Sequence, residues 1–112
     1  MKWYNTGLPY TDRPFIKKIS PGGRIVCLVG YEGKVFAVSS KCPHAGEDLS
    51  GGWCSDESKL VCPYHRYSYD LETGKGSPGQ NDYINTYAVK IEEGMIWVGF
   101  NTFKEKLKQL FQ

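Results

Sequence analysis

Along this chain, short runs rich in Val, Ile, Tyr and Phe are broken by Gly, Pro and Asn at roughly every tenth residue. That rhythm predicts antiparallel strands rather than helices. The clearest hairpin runs from Arg24 to Val29, turns through Gly30-Tyr31-Glu32-Gly33 and returns over Lys34 to Val38. A second pairs Thr86 to Ile91 with Met95 to Phe100 through Glu92-Glu93-Gly94. Both combine an apolar strand pattern with a Gly-containing turn.

Between the hairpins, over about residues 40–80, glycines and prolines crowd in and large aliphatic side chains are few. Only Lys59 to Cys62 and Tyr67 to Asp70 have strand character there. Such a segment buries too little apolar surface to offset its own ordering entropy and calls for a further staple, such as a metal centre. The tail from Thr102 to Phe111 places Phe103, Leu107, Leu110 and Phe111 on one helical face, and Thr102 and Glu105 stand at capping-box spacing. It predicts a short C-terminal helix packed on the sheets.

Composition narrows the class. At 112 residues the chain has room for one domain, 1–112, and not for a catalytic domain beside a redox domain. Its 40% hydrophobic and 23% charged residues are ordinary for a folded protein. A net charge of +2, with Lys and Arg dispersed among Asp and Glu, offers no nucleic-acid surface. No run reaches the roughly 18 apolar residues of a membrane span, and the opening MKWYNTGLPY lacks a signal-peptide apolar core. A cytoplasmic protein without a membrane partner is expected. In that compartment four cysteines point to metal binding or burial rather than to disulfides.

The chemistry concentrates in two short segments. Lys41-Cys42-Pro43-His44-Ala45-Gly46 and Val61-Cys62-Pro63-Tyr64-His65-Arg66 give Cys-x-His, then 17 residues, then Cys-x-x-His, and both histidines of the chain fall inside the pattern. Pro43 and Pro63 stiffen the two loops, and Gly46 permits close approach or a positive φ. Thiolates suit an iron bonded to sulfide, while neutral imidazoles suit a second iron and favour its reduced state.

In these motifs the chain resembles the Rieske family of 2Fe-2S proteins, and most of all its small soluble ferredoxins. The resemblance continues through Gly46, Asp70 five residues after His65, and the Thr73-Gly74 turn. It implies an all-β fold, an antiparallel base domain with an inserted, loop-rich cluster-binding subdomain at about 40–80. It also implies that Cys42 and Cys62 hold the inner iron and His44 and His65 the outer one, with Ser77-Pro78-Gly79 as a third loop covering the cluster. The implied function is one-electron transfer between a reductase and a terminal oxygenase or similar acceptor, with no small-molecule substrate and no catalysis by the chain itself.

Departures from the family pattern carry information. Members from cytochrome bc complexes tie the two loops with a disulfide, where this chain has Glu47 and Tyr64. Those members also place a Ser and a Tyr two and four residues after the second His, whose hydroxyls donate to cluster and cysteine sulfur. The matching positions are Tyr67 and Tyr69. Loss of the first donor predicts a potential in the lower part of the Rieske range of roughly −150 to +300 mV, raised somewhat by Tyr69. Arg66 replaces the usual Gly, a substitution that bears on the backbone there and brings a cation near the cluster.

Other readings compete. Cys2His2 is also a complete structural zinc set, which would make the chain an interaction module, although Cys-x-His suits a zinc finger poorly. A nucleophilic Cys with a His base leaves the second pair unused. A third class is the small redox subunit of a larger reductase, of the nitrite reductase type, where ligands can be lost; all four are present here. Cys27 lies in an apolar strand and reads as a small buried hydrophobe. Cys54 reads as a spectator thiol, with a Cys27–Cys54 disulfide as the alternative, and an all-Cys cluster on 27, 42, 54 and 62 does not fit plant-type spacing. Tyr64, Tyr67 and Tyr69 read as core residues, Trp3, Trp53 and Trp97 as packing residues, and Arg66, Glu47 and Asp48 as solvated charges or a docking rim.

Overall fold

The computed structural model describes residues 1–43, 46, 48–55, 58–63 and 66–102. Among them nine strands form: β1 (Lys2–Pro9), β2 (Phe15–Ile19), β3 (Val26–Tyr31), β4 (Lys34–Ser39), β5 (Trp53–Ser55), β6 (Lys59–Val61), β7 (Ser68–Asp70), β8 (Thr86–Glu92) and β9 (Met95–Phe100). They make a six-stranded sheet in the order β1-β9-β8-β4-β3-β2 and a three-stranded sheet β5-β6-β7, antiparallel throughout. The predicted C-terminal helix lies outside the described residues.

Both predicted hairpins form, and tighter than expected. Gly30 and Tyr31 stay in β3, and the β3–β4 turn narrows to Glu32 and Gly33 at φ 50° and 79°. The β8–β9 turn likewise narrows to Glu93 and Gly94 at φ 53° and 75°. Two central residues with positive φ match the right-handed twist of the flanking strands, so the shorter turn wins. The strands β1, β2 and β5 were not predicted.

The sheet is curled, because side chains from both of its edges reach one core. Tyr4 and Leu8 of β1 and Phe15 and Ile19 of β2 pack against Val26, Leu28, Ala37, Ile96, Val98 and Phe100. Cross-strand pairs help at both edges: Phe15 lies opposite Gly30 and Trp3 opposite Gly99, each ring covering a glycine with no room for a Cβ.

The second core lies on the other side of β3 and β4. Cys27, Val29 and Val38 meet Leu49, Leu60, Tyr69, Leu71, Ile84, Cys42 and Cys62. Val26 and Leu28 thus face the base core, and Cys27 and Val29 the second one, all four at 0% exposure. This explains the unbroken apolar run in β3, since a strand buried on both faces shows no polar alternation. Full burial of each such aliphatic side chain contributes on the order of 1.5–3 kcal/mol.

After β7 the chain reverses through an aspartate-based turn. Asp70 Oδ1 accepts from the backbone N–H of Glu72 (2.8 Å) and of Thr73 (3.0 Å), and Gly74 follows at φ 79°. A Cβ on Gly74 would collide with the Ile84 carbonyl, which accepts no displacement because Ile84 N–H in turn donates to Gly74 O at 2.8 Å. Gly74→Ala is therefore expected to destabilise the protein by roughly 1–3 kcal/mol, read as a lower urea midpoint with an unchanged slope.

Candidate metal centre

The first ligand loop leaves β4 and is closed by backbone hydrogen bonds. Leu49 N–H donates to Ser40 O (2.7 Å), and Gly46 N–H, at φ 68°, to Cys42 O (2.8 Å). Leu49 is fully buried and anchors the loop in the second core. Asp48 pins it from outside: Oδ1 accepts from Ser50 N–H and Oγ–H, while Oδ2 accepts from Lys18 Nζ of β2 at 2.7 Å. The hydrogen bonds from Lys18 and Ser50 hold the Asp48 carboxyl at about 2, below its ordinary 3.8.

The second loop joins β6 to β7 and closes with Cys62 N–H donating to Tyr67 O at 2.7 Å. Cys42 and Cys62 are 1% and 0% exposed and belong to the same buried cluster. The structure thus brings the two predicted thiol ligands into one core from separate loops. His44 and His65 lie outside the described residues.

Beside the thiols stands Tyr69, wholly buried. Its hydroxyl is 3.4 Å from Cys42 Sγ and donates to Asp82 Oδ2 at 2.7 Å. Burial first, then the contacts with Cys42 and Asp82, push the phenol well above its ordinary value, so it keeps its proton.

The third loop, at Ser77-Pro78-Gly79, is tied to β7. Ser77 N–H donates to Ser68 O (3.1 Å), the two serine hydroxyls are hydrogen-bonded, and Ser68 N–H donates to Gln80 Oε1 (3.0 Å). Gln80 Nε2 donates onward to Asp82 Oδ1 at 3.1 Å. Asp82, Gln80 and Lys18 carry no motif that would have singled them out, because their roles arise from contacts across the fold.

Cys27 is buried in the second core, as the apolar strand around it predicts. Cys27 and Cys54 are free, and burial, with Asp48 and Cys54 nearby, pushes the Cys27 thiol up to about 12. Burial also raises Cys54. A buried thiol so raised keeps its proton, as Cys27 does. Of the aromatics, Tyr67 packs against the second core as expected, whereas Trp53 is 47% exposed, because β5 is an edge strand of the small sheet. Trp3 and Trp97 flank Lys90, whose Nζ lies 4.6 and 5.4 Å from their rings.

Two convergent thiols, one with a hydroxyl at its sulfur, suit iron bonded to sulfide. Comparison with known proteins agrees: residues 9–88 match the Rieske [2Fe-2S] domain. The chain belongs to the Rieske family. It therefore carries one 2Fe-2S cluster of the Rieske type. The chain is 34% identical over 74 residues to the ferredoxin subunit of 3-phenylpropionate/cinnamic acid dioxygenase from Photorhabdus laumondii, covering 65% of this chain and 70% of that one. It is also 39% identical over 104 residues to the oxygenase subunit of vanillate O-demethylase from a Pseudomonas species, a match that takes in 86% of this chain but spans only 28% of that relative. In fold it is similar to the ferredoxin of carbazole 1,9a-dioxygenase from Nocardioides aromaticivorans, with a TM-score of 0.80 at 21% identity over 90% of this chain and all of the other.

The Rieske features take on physical meaning here. Asp70 and Gly74 make the turn behind β7, and Tyr69 reaches Cys42 sulfur as its position implies. Arg66, in place of the family's glycine, holds φ at 55° and is exposed. The backbone there is left-handed, which a glycine accepts without strain and an arginine does not. The positions of the absent family disulfide, Glu47 and Tyr64, lie outside the described residues.

Two outcomes follow. Arg66→Gly is expected to stabilise the protein by about 0.5–1 kcal/mol in denaturant titration and, by removing a cation, to lower its reduction potential. The depressed Asp48 carboxyl contributes stability that is full above its ordinary value of 3.8 and is lost as pH falls through about 2. Asp48→Asn should therefore lose less melting temperature than the wild type when the pH is lowered from about 5 to 2.

Proposed function

We propose that this protein is a Rieske-type ferredoxin in which Cys42 and Cys62 hold one iron, His44 and His65 hold the other, and one electron passes between a reductase and an oxygenase or similar acceptor. Bound there, the cluster supplies a reversible one-electron couple. The chain's own residues do the rest. The loops carry the thiolates into the buried core, Tyr69 places a hydroxyl beside Cys42, and the third loop, held by Ser68 and Gln80, shields the site from water. The observation that carries this reading is the meeting of Cys42 and Cys62 in one dry core beside the Tyr69 hydroxyl.

On this reading the chain catalyses no reaction itself and works as one unit over 1–112, with its cluster-binding part at about 40–80. The cytoplasm is its proposed location, which the free thiols of Cys27 and Cys54 support. The ferredoxin subunit relative supports a diffusing carrier. The vanillate O-demethylase match favours a second reading, in which the chain is the redox part of an oxygenase. Reoxidation of the reduced protein by a separate terminal oxygenase supports the first; transfer only when both are joined in one polypeptide supports the second.

Purified protein should be coloured, contain iron and acid-labile sulfide in equal amounts, and show a Rieske-type electron paramagnetic resonance signal after dithionite reduction. His65→Cys should abolish that signal or lower the potential. A colourless protein containing zinc and no sulfide, even after anaerobic reconstitution, would falsify the assignment.

A further inference from the structure

The Tyr69 hydroxyl has one proton and two neighbours that can accept it. Asp82 Oδ2 lies at 2.7 Å and Cys42 Sγ at 3.4 Å. When Cys42 serves as a thiolate ligand it has no proton to give, so sulfur and carboxylate compete for the same hydrogen. Bonding to iron draws charge off the thiolate sulfur, whereas the carboxylate keeps its full charge at short range and makes a hydrogen bond about twice as strong as a neutral one. The competition goes to the carboxylate.

Asp82 is built into this role. Its carbonyl accepts from Gly76 N–H at 2.9 Å, and Gln80 Nε2 engages Oδ1, which aims Oδ2 at Tyr69. Gln80 is itself clamped by Ser68 N–H on β7, the strand that carries Tyr69. Among the described residues lining the two grooves that Asp82 borders, the cations Lys41 and Lys75 are exposed, so solvent screens their pull on the carboxylate.

We propose that Asp82 is a positioning residue that draws the Tyr69 proton away from Cys42 sulfur and so holds the protein at a lower reduction potential than Tyr69 alone would set. The proposal rests on the reading of Cys42 as a cluster ligand. Hydrogen bonds to the sulfur stabilise the more negative, reduced state, and withholding one favours the oxidised state. Tyr69 is then a latent donor.

Redox titration of the wild type, Asp82→Asn, Tyr69→Phe and the double variant tests this, with absorption and electron paramagnetic resonance reporting the cluster in each. D82N replaces a charged acceptor by a neutral one. It should raise the ratio of reduced to oxidised protein at a given solution potential about tenfold, which is about 59 mV for one electron. Y69F alone should change that ratio less than about twofold, yet in the D82N background it should reverse most of the gain. An equal D82N shift with and without Tyr69 overturns the proposal, because Asp82 would then act as a plain charge. So does an unchanged potential in D82N, or a large fall in Y69F alone. Asp82→Ala removes the acceptor and should repeat the D82N pattern; loss of the cluster from both Asp82 variants assigns the residue a structural role and also overturns the proposal. Wild-type protein without iron and sulfide defeats the cluster reading itself, whereas an intact cluster with the wrong pattern of shifts defeats only the role of Asp82.

Discussion

The structure depends on the burial of β3 on both faces. Val26 and Leu28 close the core of the curled base sheet, while Cys27 and Val29 form the floor on which the ligand loops rest. Because consecutive residues of one strand belong to two cores, the base and the candidate metal centre share one wall. Movement in one is resisted by packing in the other, since close-packed interiors transmit strain rather than absorb it.

On that floor the ligand loops are held by three different means. Leu49 supplies burial, the Lys18–Asp48 pair ties the first loop to β2, and the Ser68–Ser77–Gln80 hydrogen bonds tie the third loop to β7. The ion pair is half exposed and contributes little energy, so its value lies in fixing the register of the loop against the sheet. The buried polar groups matter more. Tyr69 carries a hydroxyl into a dry core, where an unpaired polar group would be costly, and it is satisfied by donating to Asp82 at 2.7 Å.

This pairing explains how a small chain can tune a redox centre without new ligands. A hydroxyl with one proton and two acceptors divides its effect between them according to their charge and distance. A carboxylate just past the third loop can then set the electrostatics at a sulfur it never touches. Arg66 in the second loop keeps a left-handed backbone that glycine would adopt freely.

The residues themselves determined the two hairpins, because alternation and Gly-containing turns are local signals, and the likeness to the Rieske family, because ligand type and spacing lie along the chain. Short or irregular strands such as β1, with its Asn, Gly and Pro, and the three-residue β5 were not legible, since partners distant in the chain make them strands. The same holds for Trp53, whose exposure follows from an edge position, and for Asp82, which meets Tyr69 across 13 positions of chain. Local chemistry and periodicity can name the ligand candidates; only the folded packing decides which buried proton has which acceptor, because that choice is made by distances between segments that the linear order does not contain.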